Sequence, residues 1–178
     1  VHIVEGVVED IIPAGNKKTR DKVITREFVQ KKGKPFNKFL VRRSVERVYN
    51  LGFFDDVNVR MLPGEQDPNN VIIEIDVLEH KTGTITLGAG YSKSDGLMGI
   101  IEFGEENFRG TGDKFKVHWE IGGKKKYKNY QISYLKPWID SKGTSLGFSF
   151  FNREDEYTDY NEDGNEVAEY NKIGRAHV

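Results

Sequence analysis

The sequence contains no cysteine among its 178 residues, and it has only 5 prolines and 2 tryptophans. Without cysteine the chain forms no disulfide, no thiolate zinc or iron-sulfur site and no cysteine nucleophile. Long apolar runs are also missing, since none approaches the roughly 18 residues that a membrane-spanning helix needs. The 27 Lys and Arg nearly balance the 28 Asp and Glu, for a net charge of -1. Disulfide scaffolds and helical membrane proteins are therefore excluded. The net charge gives no indication that the chain as a whole binds a polyanion.

The residues that are abundant favour β structure. Aromatic residues make up 12% of the chain, and there are 19 glycines, a combination typical of strands joined by turns. Such averages fit one or two soluble domains of about 100 residues each. They fit a transmembrane β-barrel equally well, because its alternating strands do not show in an averaged hydropathy.

Charge is distributed unevenly along the chain. Residues 17–47 contain twelve basic residues against three acidic ones, whereas residues 153–169 contain eight acidic residues against one basic one. The near-zero total therefore combines two segments of opposite charge. Helical spacing occurs only before residue 80, and the later segments alternate with period two, which predicts a domain boundary near residues 79–83.

The first 80 residues predict the element order β-α-α-β-β. An apolar strand over residues 1–14 ends in a turn cluster, and Thr19 is a candidate N-cap for a helix that Gly33 ends. Asn37 is positioned to cap a second helix, and two strands follow at 56–61 and 70–78. This order predicts a small domain in which helices cover one sheet.

The second predicted helix has a basic face formed by Lys38, Arg42, Arg43 and Arg47. A solvated helix surface is one interpretation. Contact with anionic lipid headgroups or with an acidic partner is the functional alternative. Nucleic acid is disfavoured as a partner, because the sequence has no platform of interleaved aromatic and basic residues.

After residue 83 the chain predicts about five alternating strands, each close to the length of a tilted membrane-spanning strand. One face is aliphatic and aromatic, as in Phe115, Val117 and Trp119, whereas the other carries small or charged residues. The connections at 109–112 and 139–143 are short, and the stretch after residue 152 reads as a long acidic loop. On pattern alone a membrane barrel and a soluble barrel both remain open.

Several motifs support a resemblance to a known family. Residues 1–79 resemble a polypeptide-transport-associated (POTRA) domain, through GNKKT at 15–19, LGFFDDV at 51–57 and VLE at 77–79. Residues 82–152 are similar to the first part of the barrel of BamA-like outer-membrane protein assembly factors, through GTITLGAGY at 83–91, ENFRGTGD at 106–113 and YLKPW at 134–138.

The resemblance implies an α+β POTRA domain at 1–79, followed at 82–172 by the N-terminal portion of an antiparallel transmembrane β-barrel. It implies that the chain is a fragment of a longer protein in the outer membrane, with the POTRA domain in the periplasm. The implied function is folding and insertion of nascent β-barrel proteins into the bilayer together with accessory proteins of an assembly complex.

The last six residues, 173–178, are predicted to be non-native. One choice of codons for them gives ATC GGA AGA GCA CAC GTC, which looks like sequencing-adaptor DNA read as protein. They are therefore left out of the fold prediction.

No set of residues predicts catalysis, a cofactor or a metal site. The four histidines, His2, His80, His118 and His177, lie far apart and form no metal-binding spacing. We therefore expect a protein that is not an enzyme and that acts through backbone pairing.

Two strand edges are the predicted sites. In the POTRA sheet, an edge strand containing Val57, Asn58, Val59 and Arg60 is expected to accept an added strand. In the barrel, the seam strand contains Thr84, Ile85, Thr86, Leu87 and Gly88. Its Thr and Gly content specifies register weakly, so the seam is expected to open and template client strands. The alternative is that it is merely the first strand of a closed barrel.

Two other functions remain open on the sequence. One is a two-partner secretion pore or a TamA-like translocation pore of the same superfamily. The other, more remote, is a soluble ligand-binding β-barrel attached to an α+β module.

Overall fold

The computed structural model describes residues 6–93, 96–123, 127–160 and 166–177. The chain divides into two compact units. The first contains residues 1–82 together with 107–112, and the second contains residues 83–106 and 113–178. The short segment 107–112 therefore belongs with the first unit, although its neighbours in sequence belong to the second.

The first unit has the order β-α-α-β-β, which confirms the predicted POTRA-like fold. Its elements are β1 (Val8–Ala14), α1 (Asp21–Thr25), α2 (Lys38–Tyr49), β2 (Phe54–Pro63) and β3 (Val71–Glu79). The sheet order is β1-β3-β2, with β1 parallel and β2 antiparallel to the central strand β3. Part of the strand predicted over 1–14, residues 1–5, lies outside the described residues.

A single apolar core joins the helices to the sheet. Helix α2 starts where predicted, because the Asn37 side chain accepts hydrogen bonds from the backbone N–H groups of Phe39 and Leu40 at 2.9 and 3.3 Å. The helix buries Val41, Ser44 and Val48. The fully buried side chains of the core include Val8, Ile24, Phe28, Val48, Ile73 and Ile75.

Helix α1 is shorter than predicted, and Thr19 does not cap it. Its N-cap is Arg20, which makes no capping hydrogen bond with its side chain. The β-branched residues over 23–25 have low helix propensity. Beyond Thr25 the backbone N–H groups of Val29 and Gln30 bind the Ser44 hydroxyl at 2.9 and 3.3 Å instead of continuing the helix. The Thr19 side chain is used in a tertiary contact described below.

The second unit is an antiparallel sheet, as predicted. Its strands are β4 (Gly83–Ser92), β5 (Gly96–Phe108), β6 (Asp113–Gly122), β7 (Tyr127–Lys136), β8 (Leu146–Tyr160) and β9 (Glu166–His177). They are hydrogen-bonded in sequence order, so β4 and β9 are the two outer strands of the sheet.

Strand β9 is a sixth strand that the sequence analysis did not identify. The acidic loop predicted to follow residue 152 is wrong for residues 153–160, because β8 continues to Tyr160 and pairs with β9 from Phe150↔His177 to Tyr160↔Glu166. Backbone hydrogen bonds hold such a ladder together, so an acidic sequence can pair as well as an apolar one. Residues 173–177 lie in this strand, and their non-native origin stays a prediction.

The two faces of the sheet differ in chemistry, as the alternation predicted. Register places Ile85 opposite Phe103, and Tyr134 opposite both Phe115 and Phe148. Many apolar side chains on this face are exposed, including Ile85, Leu87, Tyr91 and Leu97, each of which is more than 70% exposed. The opposite face pairs polar residues, and a sheet of this kind is suited to lipid on one side and water on the other.

Among the described residues, the structure contains no helix that is both long and apolar enough to cross a membrane.

Candidate functional site

Strand β2 forms one edge of the first unit's sheet. It pairs with β3 over its whole length, and the structure shows no partner on its other side within the described part of the chain. Val57 is buried opposite Val77, and Val59 packs against the core opposite Ile75. The strand is therefore anchored by one face, and its outward backbone groups are those of a sheet edge.

The outer face of β2 is held by polar contacts with β3. Arg60 forms ion pairs with Glu74 at 2.8 Å and with Asp76 at 3.2 Å. The Asn58 amide donates to Asp56 on the same strand at 2.8 Å. Because these side chains already have partners within the domain, an added strand would be recognised mainly through the backbone.

Strand β4 is an outer strand of the second unit's sheet. It pairs with β5 from Gly83↔Glu105 to Ser92↔Gly96, and no strand in the described residues pairs with its other side. All five predicted seam residues lie in this strand. Ile85 and Leu87 are 73% and 74% exposed on the apolar face.

The opposite face of β4 is small and polar. Thr84 faces Gly104, Thr86 faces Glu102, and Gly88 faces Ile100. A Cβ added at Gly104 would lie 2.9 Å from the Thr84 hydroxyl, so the two strands approach closely at this point. Strands with small side chains have few packing contacts that oppose a change of register.

Two of the four basic residues on the face of α2 form ion pairs within the domain. Arg47 contacts the buried carboxylate of Glu27 at 2.9 Å, and Arg42 contacts Glu46 at 3.2 Å. Lys38 and Arg43 are exposed and form no ion pair among the residues that the structure describes. Two of the four predicted contact residues therefore remain available to an external anion.

Segment 107–112 is a site that the sequence analysis did not anticipate. The Asn107 amide donates from Nδ2 to Oγ1 of Thr19 at 2.8 Å, and its Oδ1 accepts from the backbone N–H of Gly112 at 2.9 Å. The backbone N–H of Arg20 donates to the carbonyl of Gly110 at 2.9 Å. The motif ENFRGTGD contains Asn107, but no spacing rule connects it with Thr19, 88 positions earlier.

Close packing explains the glycine at position 110. A Cβ at Gly110 would lie 1.8 Å from the carbonyl oxygen of Lys18, and the backbone has a φ of +72°. Both the contact and the left-handed backbone therefore require glycine.

Glu79 organises the loop that carries Thr19. Its Oε2 accepts from the backbone N–H groups of Lys17 and Lys18 at 2.9 and 2.8 Å, and Oε1 accepts from that of Thr19 at 2.6 Å. Burial raises the pKa of Glu79, but the hydrogen bonds from Thr19, Lys18 and Lys17 together outweigh burial, so the pKa lies below its ordinary value. The carboxylate thus holds this loop while it is ionised.

The described residues contain no group of three His, Asp or Glu residues placed to hold a metal ion. The Nδ1 atom of His80 lies 3.2 Å from Asp55, as a simple pair.

Comparisons with known proteins give two family matches. Residues 6–80 match a POTRA family described as a surface antigen variable number repeat, and residues 107–174 match the Omp85 superfamily domain. The chain is 32% identical over 146 residues to the outer membrane protein assembly factor BamA of Neisseria meningitidis. That alignment covers 82% of this chain and 18% of the relative, so the chain spans about a fifth of that protein's length.

Solved structures agree with these matches. BamA from Haemophilus ducreyi lacking POTRA domains 1–3 superposes with a TM-score of 0.73 at 26% identity, over 85% of this chain and 28% of that one. CdiB from Escherichia coli superposes with a TM-score of 0.62 at 15% identity, over 97% and 32%. The likeness to CdiB shows the fold alone.

Proposed function

Because this chain belongs to the Omp85 superfamily and is an outer-membrane protein with a periplasmic POTRA domain, we propose that it assists the folding and insertion of other β-barrel proteins. Its clients would be nascent outer-membrane β-barrels, and it would act together with accessory proteins of an assembly complex and with the lipid bilayer.

The main support for this proposal is the outer position of β4 in the sheet. In lipid, an unpaired backbone group costs several kcal/mol, so the edge of β4, when its seam opens, would favour an incoming strand that satisfies those groups. The apolar Ile85 and Leu87 alternate with Thr84, Thr86 and Gly88. This alternation matches a client strand that also places apolar residues toward lipid.

The edge of β2 supports a second pairing step in the periplasm. A client segment added beside Val57, Asn58, Val59 and Arg60 would be held by main-chain hydrogen bonds before it reaches the membrane. Neither step makes or breaks a covalent bond. The proposed activity therefore requires no catalytic residue, cofactor or nucleotide.

Depletion of the protein in its own cell tests the proposal. We expect many different β-barrel proteins to decrease together in the outer membrane, and unfolded clients to accumulate in the periplasm. Re-expression of the protein should restore them.

A two-partner secretion or TamA-like translocation pore is the second candidate, and the fold likeness to CdiB is the observation in its favour. This candidate predicts a different outcome of the same depletion. One secreted substrate would be lost while most β-barrel proteins stay at their normal level, and that result would overturn the assembly proposal.

A further inference from the structure

Arg109 adopts a backbone conformation that normally favours glycine. Its φ is +55°, and it is the one non-glycine residue with a positive φ in the part of the chain that the structure describes. Gly110 and Gly112 beside it have φ values of +72° and +74°. Left-handed backbone costs free energy in any residue with a Cβ, so the arginine is unfavourable for this turn. Strained positions of this kind are found at functional sites.

The Arg109 side chain is exposed and is not neutralised by a carboxylate among the described residues. Its guanidinium carbon lies 5.6 Å from the centroid of the Phe108 ring, close enough for a cation-π contact that leaves the N–H donors directed to other partners. The positive charge of Arg109 is therefore exposed on the surface of the first unit.

Strand connectivity sets the depth of Arg109 relative to the membrane. The POTRA domain is periplasmic, and the first unit that contains it continues to Thr82, which is bonded to Gly83 at the start of β4. Gly83 pairs with Glu105 near the end of β5, so β5 reaches the periplasmic side of the sheet there. Residues 109–112 then connect β5 to β6. A short connection between two membrane-spanning strands lies at the level of the lipid headgroups.

Another basic residue of the first unit, Arg20, contacts this connection. The backbone N–H of Arg20 binds the carbonyl of Gly110, the residue next to Arg109. Arg20, Lys17 and Lys22 are exposed, and the described contacts include no carboxylate bound to their side chains. The nearest carboxylate in sequence, Asp21, accepts from Asn16 at 2.7 Å. Because an amide does not neutralise a carboxylate, Asp21 offsets one of these charges, and the three basic side chains still leave a net positive charge.

We propose that Arg109 and Arg20 bind the phosphate of an anionic phospholipid headgroup in the periplasmic leaflet. The planar guanidinium group donates two parallel hydrogen bonds to phosphate. A lipid fits better than an acidic protein, because Arg109 and Arg20 are both exposed and basic, whereas a stable protein interface has an apolar centre. This proposal goes beyond assembly of clients and does not depend on it.

The absence of cysteine allows a direct test. The full chain carrying Lys22→Cys with an environment-sensitive dye is reconstituted into phosphatidylcholine nanodiscs. Increasing fractions of phosphatidylglycerol with a nitroxide on the headgroup are added, and quenching is compared with that by nitroxide phosphatidylcholine. We expect the anionic lipid to quench at a lower fraction. Arg109→Gln and Arg20→Gln should each reduce this preference about fivefold, the factor expected for one basic residue at an anionic surface.

Lys34→Gln is the matched control, because Lys34 is an exposed basic residue of the first unit outside both segment 107–112 and the basic face of α2, and it should leave the preference unchanged. Arg109→Gly adds a readout that a purely structural role would not give. It should preserve or increase thermal stability, since glycine suits the positive φ, and should still lose the lipid preference. Equal quenching by the two lipids, or an unchanged preference in the Arg109→Gln, Arg20→Gln double variant, would overturn the proposal. Protection of the dye by polyglutamate together with equal lipid quenching would assign the surface to an acidic polypeptide instead.

Discussion

Asn107 and Thr19 form a buried hydrogen bond of 2.8 Å between side chains that are 88 positions apart in sequence. Asn107 is 1% exposed and Thr19 is 3% exposed. Residues 107–112 connect strands β5 and β6, and they belong to the compact unit that contains the POTRA domain. The bond to Thr19 helps to hold them there. The stability of this unit can therefore be tested at single residues.

Replacing the Asn107 amide should destabilise the first unit. In Asn107→Asp the side chain keeps its size but loses the donor to Thr19, and an oxygen would face the Thr19 hydroxyl, which already donates to Glu79. We expect a loss of about 1 to 3 kcal/mol in the free energy of unfolding. Hydrogen exchange at the buried amides of Ile73 and Ile75, in detergent micelles, measures it. Asn58→Ser, at an exposed position on β2, is the control and should change stability by less than about 0.5 kcal/mol.

Gly33 and Gly110 have nearly the same backbone conformation but differ in what an added Cβ would contact. Comparing them distinguishes the cost of a steric clash from the cost of the backbone conformation. Gly33 has a φ of +74° with nothing within 4 Å of an added Cβ, whereas a Cβ at Gly110 would overlap the Lys18 carbonyl. Gly33→Ala should cost about 1 kcal/mol for its backbone alone. Gly110→Ala should cost several times more, because backbone atoms must move. Thermal unfolding of the two variants compares them, and equal losses would show that segment 107–112 does not pack as described.

Glu79 should make the stability of the first unit depend on pH. Its pKa in the folded state is lowered from an ordinary value of 4.5. Its ionised form therefore contributes fully above about 4.5, and the contribution is lost as the pH falls through the lower folded-state pKa. At pH 7, Glu79→Gln should cost about 2 kcal/mol, because charge-assisted bonds to three N–H groups are weakened.

The measurement for Glu79 is the difference in unfolding free energy between the wild-type chain and Glu79→Gln from pH 7 to pH 3. The difference should shrink in the acidic range. A difference that stays constant with pH would contradict a role for the ionised carboxylate, even if the variant is destabilised.

Substitutions at two arginines on the basic face of α2 should differ in their effect on the free energy of unfolding. Arg47→Ala leaves the buried Glu27 carboxylate without its 2.9 Å partner and should cost about 1 to 3 kcal/mol. Arg43→Ala should have an effect below about 0.5 kcal/mol, because Arg43 forms no described ion pair. Urea unfolding of both variants tests this division, which is refuted if the two substitutions are equally costly.

The parts of this fold that depend on local pattern were predictable from sequence. The alternation of Phe115, Val117 and Trp119 gave the correct faces of β6, and Asn37 gave the correct start of α2. The length of α1 was not predictable, since Ser44 of another helix takes the N–H groups that would have continued it.

For the candidate site, too, features that depend on local pattern were predictable and features that depend on tertiary packing were not. The position of β4 and β2 as outer strands follows from strand order, which the motifs of the family suggested. The contact between Asn107 and Thr19 depends on tertiary packing, and no periodicity reports it. The neutralisation of Arg47 by Glu27 depends on packing in the same way, so the sequence overstated the free positive charge of α2.

Disulfide cross-linking at β4 tests the central claim, that the outer edge of this strand pairs with client strands. The natural protein lacks cysteine in this segment, so Thr84→Cys and Thr86→Cys can be paired in cells with a stalled β-barrel client that carries single cysteines along one strand. Ser133→Cys is the control, because β7 is already paired on both sides, opposite Lys116 and Ser149. The account predicts adducts at positions 84 and 86 whose partner cysteines differ by two residues in the client, and none at 133. Absence of adducts at 84 and 86 while the client is still inserted would contradict it.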